Sequence, residues 1–357
     1  MKTRQTTIQA FAAHAAAGTD VYPILLKDPI SRLVMPYSVL VPAAARIEHM
    51  STAFTRIVIV DGSDVLMSLS GQQIDGMARM RALAANATFE DQAQSVTVWG
   101  NLIIDFGRYL FDKEIAFDPS KFHNPQIQVT HNAGAIATGG VRTDYGILAQ
   151  VMEGLGSAPM NFLMKKEAKS WLAANAAWEY SELARDFPYR AIWLQAKTNL
   201  IGVDGHWSRA LLNEDNYKRV PFDVLVDDQV ADNAGEYGLI TENVSSTTSG
   251  LATPQFAAPT YGGAFMGVNA TTWNALYSQN FNGGQYSVES ANGTDNYRGL
   301  IEGLCPQGLV VFNMGPKDEI GDWYDPAGVG SLRFEVLGAG ARTMRVITEQ
   351  LRPNLPR

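Results

Sequence analysis

With a single cysteine, Cys305, among 357 residues, the chain has no internal disulfide and no cage of cysteine ligands. Basic charge is scarce too. Lysine and arginine total 28 against 36 acidic residues, a net charge of -8, so the basic face that a nucleic-acid-coating protein needs for counterion release is missing. No apolar run is long enough to span a bilayer. The opening residues up to His14 are too short and too polar for a secretory apolar stretch, so synthesis and folding in a reducing cytoplasm are expected. The five histidines, His14, His49, His123, His131 and His206, are scattered, and no two have the close spacing of a metal-binding pair on one helix or strand. GxSxG, P-loop and HExxH patterns are absent. No cofactor and no metal are expected from these gaps.

What the sequence does have is apolar residues and turns. Apolar content of 46% with 32 Gly and 16 Pro suits a turn-rich β protein, and the length suits two domains. One order of features occurs twice. In the first half it runs Ile103-Ile104-Asp105-Phe106-Gly107-Arg108, Phe117-Asp118-Pro119, then the alternating Ile127-Gln128-Val129-Thr130. In the second it runs Val311-Phe312-Asn313-Met314-Gly315-Pro316, Trp323-Tyr324-Asp325-Pro326, then Leu332-Arg333-Phe334-Glu335-Val336. A further strand follows each copy, from Tyr145 and from Arg342. This order predicts two copies of one β-domain in tandem, with Gly107 and Gly315 in matching turns that need positive φ.

Along the chain, Thr6 or Thr7 would cap an Ala-rich helix ending at Gly18, whose removal with residues 1–17 would spare the fold. Val21 to Ala45, carrying Pro23, Pro29, Pro36 and Pro42, predicts extended edge segments. Phe54 to Val60, Asp61-Gly62 and Val65 to Leu69 predict a hairpin. Ile74, Met77 and Met80 predict an inserted helix over Gln72–Ala84. Gly154 to Pro159 predicts a linker, and Phe162 to Trp178 is ambiguous between helix and strand. The stretch from Asp227 to Tyr297, rich in Gly, Ser, Thr and Asn with scattered aromatics, predicts a loop insertion or a small subdomain.

Chemistry-bearing candidates are few. Asp118 and Asp325 are placed as a glycosidase's two carboxylates would have to be considered, but Asp-Pro initiates turns, which explains both more simply. Asp61, Asp64, Asp227 and Asp228 read as solvated turn acids. Arg190 and Trp193 offer a sugar-stacking platform or a core position. Cys305 reads as a small buried apolar residue.

Taken together, Arg56 to Val65 with Ser68-Leu69-Ser70-Gly71, the Phe-Gly-Arg and Asp-Pro repeat, Pro188 to Ile192, and the Asp215-Asn216 to Pro221-Phe222-Asp223 run resemble double jelly-roll major capsid proteins. These belong to tectivirus-like and adenovirus-like icosahedral viruses with an internal membrane. The resemblance spans about Val39 to Leu351 and implies an all-β fold of two tandem jelly-roll β-sandwiches, with short inserted helices and a long loop insertion in the second. The implied division is an N-terminal arm or helix over 1–24, a first jelly roll over 25–155, a second over 156–348 with the 227–297 insertion as an outer tower, and a tail over 349–357. It implies no enzyme activity, a homotrimeric pseudo-hexameric capsomer, and a place in the virion shell after synthesis in the host cytoplasm. Neighbouring capsomers, minor capsid and vertex proteins and an internal lipid membrane are the implied partners, with no sequence-specific nucleic acid. The termini of such proteins point inward, which would set Lys2, Arg4, Arg352 and Arg357 near the membrane. The alternatives are a carbohydrate-active or peptide-N-glycanase-like double β-sandwich enzyme and a lectin-like module.

Overall fold

Short alternating segments bounded by Gly, Pro and Asp form strands almost throughout. The computed structural model describes residues 1–14, 17–40, 46–81, 90–91, 96–137, 142–246, 254–269, 275–288 and 296–355. Its first half contains β1 (Lys2–His14), β2 (Gly18–Pro23), β3 (Ile30–Leu40), β4 (Phe54–Asp61), β5 (Asp64–Leu69), the two-residue β6 (Glu90–Asp91), β7 (Thr97–Asp105), β8 (Pro125–His131) and β9 (Arg142–Glu153). Its second half has β10 (Asn161–Leu172), β11 (Trp178–Glu182), β12 (Tyr189–Ala196), β13 (Trp207–Glu214) and β14 (Asp223–Leu225). There follow β15 (Ile240–Ser246), β16 (Gln255–Phe256), β17 (Tyr261–Asn269), β18 (Ala275–Phe281), β19 (Gln285–Tyr286) and β20 (Tyr297–Leu304). The half closes with β21 (Leu309–Asn313), β22 (Leu332–Gly338) and β23 (Thr343–Pro353).

One wiring serves both halves. The first has sheets ordered β1-β9-β3-β7 and β2-β8-β4-β5, and the second has β10-β23-β12-β21 and β11-β22-β13-β14. With the inserted strands set aside, both read first-eighth-third-sixth and second-seventh-fourth-fifth, the eight-stranded double sheet of a jelly roll. The duplicated motif is therefore one structural address: the end of the sixth strand, the following turn, and the seventh and eighth strands. The two rolls join edge to edge, where Ser68 on β5 pairs in parallel with Lys166 on β10.

Burial follows the sheets. Leu33, Tyr37, Phe54, Ile57, Phe117 and Tyr145 fill the first roll, in a core continuous with Trp193 and Ile347 of the second. Ile192, Leu194, Trp207, Phe312 and Phe334 fill the second roll. The inserted helix α1 (Gly71–Arg81) buries Ile74, Met77 and Met80, as their spacing predicts; positions 82–84 of the expected helix lie outside the described residues. A second helix, α2 (Val226–Tyr237), protects β21, the outer strand of its sheet. Asn233 accepts from the Val311 amide at 2.9 Å, while Asn233 and Gln229 both donate to the Val311 carbonyl at 2.9 Å, so side chains satisfy groups that would otherwise be an open edge.

Several expectations are corrected. The N-terminal helix is instead strand β1, paired with β9 from Lys2–Glu153 to His14–Thr143, with irregularities at Gln9. Helix-tolerant alanines yield because a helix there would leave the backbone of the buried strand β9 unpaired. Residues 1–24 thus hold the first two strands of the roll. Of the proline-bearing stretch, Val21 to Pro23 does lie on an edge strand, β2, but Pro36 does not, since β3 sits between β9 and β7. Its pairs with β9 lie on either side of Pro36, at Val34–Leu148 and Tyr37–Tyr145. The ambiguous stretch after Phe162 is β10, held by β23. Of the two readings of the 227–297 insertion, its described residues favour the small subdomain: a sheet in the order β18-β17-β20-β15-β6 with its own core of Val244, Phe265, Tyr286, Tyr297 and Ile301. The first roll contributes to it, because β6 pairs in parallel with Val244 and Ser245.

The matching glycines also differ from expectation. Gly315 has φ +140 and a Cβ there would meet the Asp322 carbonyl at 2.5 Å. Gly107 is outside the positive-φ set and is glycine for space, since a Cβ would lie 2.5 Å from the Ile115 carbonyl. Gly315→Ala is expected to cost about 1–3 kcal/mol from the backbone alone. A melting temperature equal to that of the parent protein would contradict this.

Candidate functional site

The duplicated turns come first. At the end of β7, Arg108 makes a two-pronged pair with Asp112, at 2.7 and 2.9 Å, and adds Glu114 at 2.6 Å. Its remaining nitrogen donates to the Asp318 carbonyl at 2.8 Å, so the first copy of the turn grips the second. Ile115, Leu163, Trp323 and Leu351 form a small apolar cluster at the same junction. Asp118 accepts from the Ser120 amide at 3.1 Å and hydroxyl at 2.6 Å, and Pro119 opens the tight turn that follows. Asp325 accepts from the Ala327 amide at 2.9 Å, with Pro326 buried beside it. Each carboxylate is thus engaged by its own turn.

The terminal basic residues separate. Lys2 and Arg4 are exposed, and Arg4 pairs with Glu153 at 2.5 Å and Asp28 at 3.3 Å. Arg352 is corrected: it is 1% exposed, pairs with Asp64 and lies against Phe162 and Phe187, so it belongs to the packed interior and not to a lipid-facing tail. The reading of Asp64 as a solvated turn acid falls with it. Arg357 lies outside the described residues.

Between the rolls sits a charge cluster that the sequence did not reveal. Glu349 on β23 is wholly buried and accepts from Arg81 at 2.6 Å, Trp193 Nε1 at 3.1 Å and Arg190 at 3.4 Å. Lys165 donates to the Asp105 carbonyl at 2.6 Å beside it. Burial alone would raise the Glu349 pKa, but the charges of Arg81, Arg190 and Lys165 overcome it and hold the carboxyl down to about 2. Burial, then the like charge of Arg81, lowers Arg190 to about 10, and burial lowers Lys165 as well. Arg190 and Trp193 are therefore joints between the rolls, which favours the core position over the sugar platform.

A comparable hub anchors the second insertion. Glu242 on β15 accepts from Arg79 of α1 at 2.8 Å and from the Ala258 amide at 2.7 Å, with His49 at 3.4 Å. Burial opposes its ionisation, yet Arg79 and His49 hold its pKa well below the ordinary carboxylate range. Gln307 ties the same hub to Asp75 at 2.8 Å.

Two histidines read as scattered are brought together. His14 at the end of β1 and His131 at the end of β8 each lie 3.0 Å from one oxygen of Asp20 on β2. The Tyr145 hydroxyl donates to that oxygen at 2.7 Å and meets Tyr22 at 3.0 Å. The His14 ring stacks on Tyr145, with centroids 4.3 Å apart. Burial pushes Tyr145 far up and His131 down, while Asp20 ends below its ordinary value because Tyr145 and the histidines outweigh its partial burial. No sequence spacing signals this, since Asp20 and His131 are 111 positions apart.

Two further features bear on an enzyme reading. A groove of about 370 Å³ lies at the β5–β10 seam and is lined by Arg56, Ser68, Gln72, Glu167 and Arg345 among others. Cys305 is buried and its thiol is pushed up by that burial, the reverse of what a nucleophile needs.

No protein-family model and no curated protein matches the chain. Solved structures do. The major capsid protein of Sulfolobus Turreted Icosahedral Virus is 10% identical, over 99% of this chain and 97% of its own, with a TM-score of 0.62. The major capsid protein of bacteriophage PM2 is 9% identical, over 99% and 98%, with a TM-score of 0.57. The PBCV-1 virus capsid structure is 6% identical, over 98% and 94%, with a TM-score of 0.58. Identity at this level speaks to architecture, and the coverage leaves little of either chain unmatched. The protein has the double jelly-roll fold of these viral major capsid proteins.

Proposed function

We propose that this chain is a major capsid protein whose homotrimers, pseudo-hexagonal because each subunit carries two like blocks, tile the shell of an icosahedral virion. The observation that carries the reading is the whole-chain likeness to three viral capsid structures, duplication included. The closed wiring supports it: Arg108 to Asp318, Glu349 to Arg81, and Glu242 to Arg79 lock the rolls and the insertion into one block, as a tile requires. The chain divides near Gly154 to Pro159, and its partners are copies of itself, with minor capsid proteins at the vertices. The insertion forms an outer tower, and the end carrying Lys2 and Arg4 faces an internal membrane. That attraction is modest, because Glu153 and Asp28 already neutralise Arg4, leaving Lys2 at about 1 kcal/mol near an anionic surface. Electron microscopy of the purified protein tests the reading: three-fold particles with a six-lobed outline are expected. Single-chain particles that bind or cleave a glycan would favour the enzyme or lectin alternatives.

A further inference from the structure

The geometry points to a divalent transition-metal site, of a kind suited to zinc, formed by His14, Asp20 and His131 at one end of the first jelly roll. Three ligand atoms, His14 Nδ1, an Asp20 carboxylate oxygen and His131 Nε2, all lie within 4.8 Å of one another. The two nitrogen-to-oxygen edges are 3.0 Å. A tetrahedral site with bonds of 2.0–2.1 Å needs edges of about 3.3 Å, so these two edges need open by only a few tenths of an ångström, while the nitrogen-to-nitrogen edge, within 4.8 Å, must settle at the same length. Two imidazoles and one carboxylate with a position left over is a donor set that zinc and its neighbours in the first transition row accept.

Hydrogen bonds from Tyr145 and His131 already occupy the two lone pairs of Asp20 Oδ2, and His14 Nδ1 stands 3.0 Å from the same oxygen. A cation among the three ligands would take both ring nitrogens and leave the carboxylate oxygen with Tyr145 as its outer partner. Such a partner is what fixes a ligating carboxylate in built metal sites. His131 is 3% exposed and its ring is held in place by packing, whereas the Asp20 side chain is 35% exposed and gives an ion a way in.

The position gives the site a consequence. His14 belongs to the β1-β9-β3-β7 sheet, and Asp20 and His131 belong to the facing β2-β8-β4-β5 sheet. A bound ion would therefore staple the two sheets and pin the far end of the outer strand β1. This inference does not depend on the capsid reading.

The test is metal content and affinity of the full chain, stripped with chelator and dialysed against Zn²⁺, with Co²⁺ as a spectroscopic probe. One Zn²⁺ per chain, a higher melting temperature with the ion, and the visible bands of tetrahedral Co²⁺ are expected. Tyr145→Phe should weaken affinity about 10–100-fold by freeing the Asp20 carboxylate, and Asp20→Asn and His14→Gln should weaken it more. His123→Ala, at an exposed histidine elsewhere, should leave binding unchanged. Because Asp20→Asn and His14→Gln keep side-chain volume, folded variants should be obtained, and their own melting curves confirm it. No Zn²⁺ retained by the parent chain, or equal affinity in parent and folded Asp20→Asn, would overturn the proposal.

Discussion

Glu349→Gln is expected to cost roughly 3–5 kcal/mol of folding stability, because it removes the carboxylate charge that three buried cations share. Arg81, Arg190 and Lys165 would then repel one another in a site that holds Glu349 wholly away from water. The amide keeps the shape and can still accept from Trp193, so the loss reports charge and not a cavity. The wild-type contribution also has a defined pH window. The Glu349 pKa falls from an ordinary 4.5 to about 2 on folding, so its stabilisation is complete above 4.5 and fades as pH drops from there toward 2. Acid titration of stability should therefore be flatter in the glutamine variant over that interval. Toward alkaline pH the variant should recover, because Lys165, already pushed below its ordinary 10.5 by burial, can shed its proton. Denaturant melts of both proteins across pH measure all three points, and matching curves would refute the role given to Glu349.

Deleting residues 1–17 is expected to abolish soluble folded protein. The cut removes all of β1, whose pairs run the length of β9, and strips Ile8 from the first core. The strand so exposed is long and apolar, with Ile147, Ala149 and Val151 fully buried in the intact fold, and an open edge of that kind templates aggregation. This outcome reverses the one an N-terminal helix would give. Soluble yield and near-ultraviolet circular dichroism decide it: a normal yield with an unchanged spectrum would show that β1 is dispensable.

Legibility in the sequence followed the reach of the interaction. The duplicated wiring could be read because turn chemistry is local: Gly315, Asp118-Pro119 and Asp325-Pro326 each act within a few residues of themselves. The hairpin at Asp61-Gly62 and the helix carrying Ile74, Met77 and Met80 were legible for the same reason. Strand β1 was not, since alanine and threonine accept either state and only β9, far along the chain, decides. Glu349 and Arg81 looked like ordinary charges on a strand and a helix. Their pairing across 268 positions has no local sign, and the same holds for His14, Asp20 and His131. Arg352 misled for a related reason: its nearness to the C-terminus suggested exposure, while the pairing of β23 with β10 carries it into the core beside Asp64.

The most direct measurement of the account is the absolute mass of the native protein by light scattering, on a chain of 38.9 kDa. A capsid tile predicts a sharp species at three chains or a larger particle built from it. A clean monomer or dimer at every concentration would contradict it.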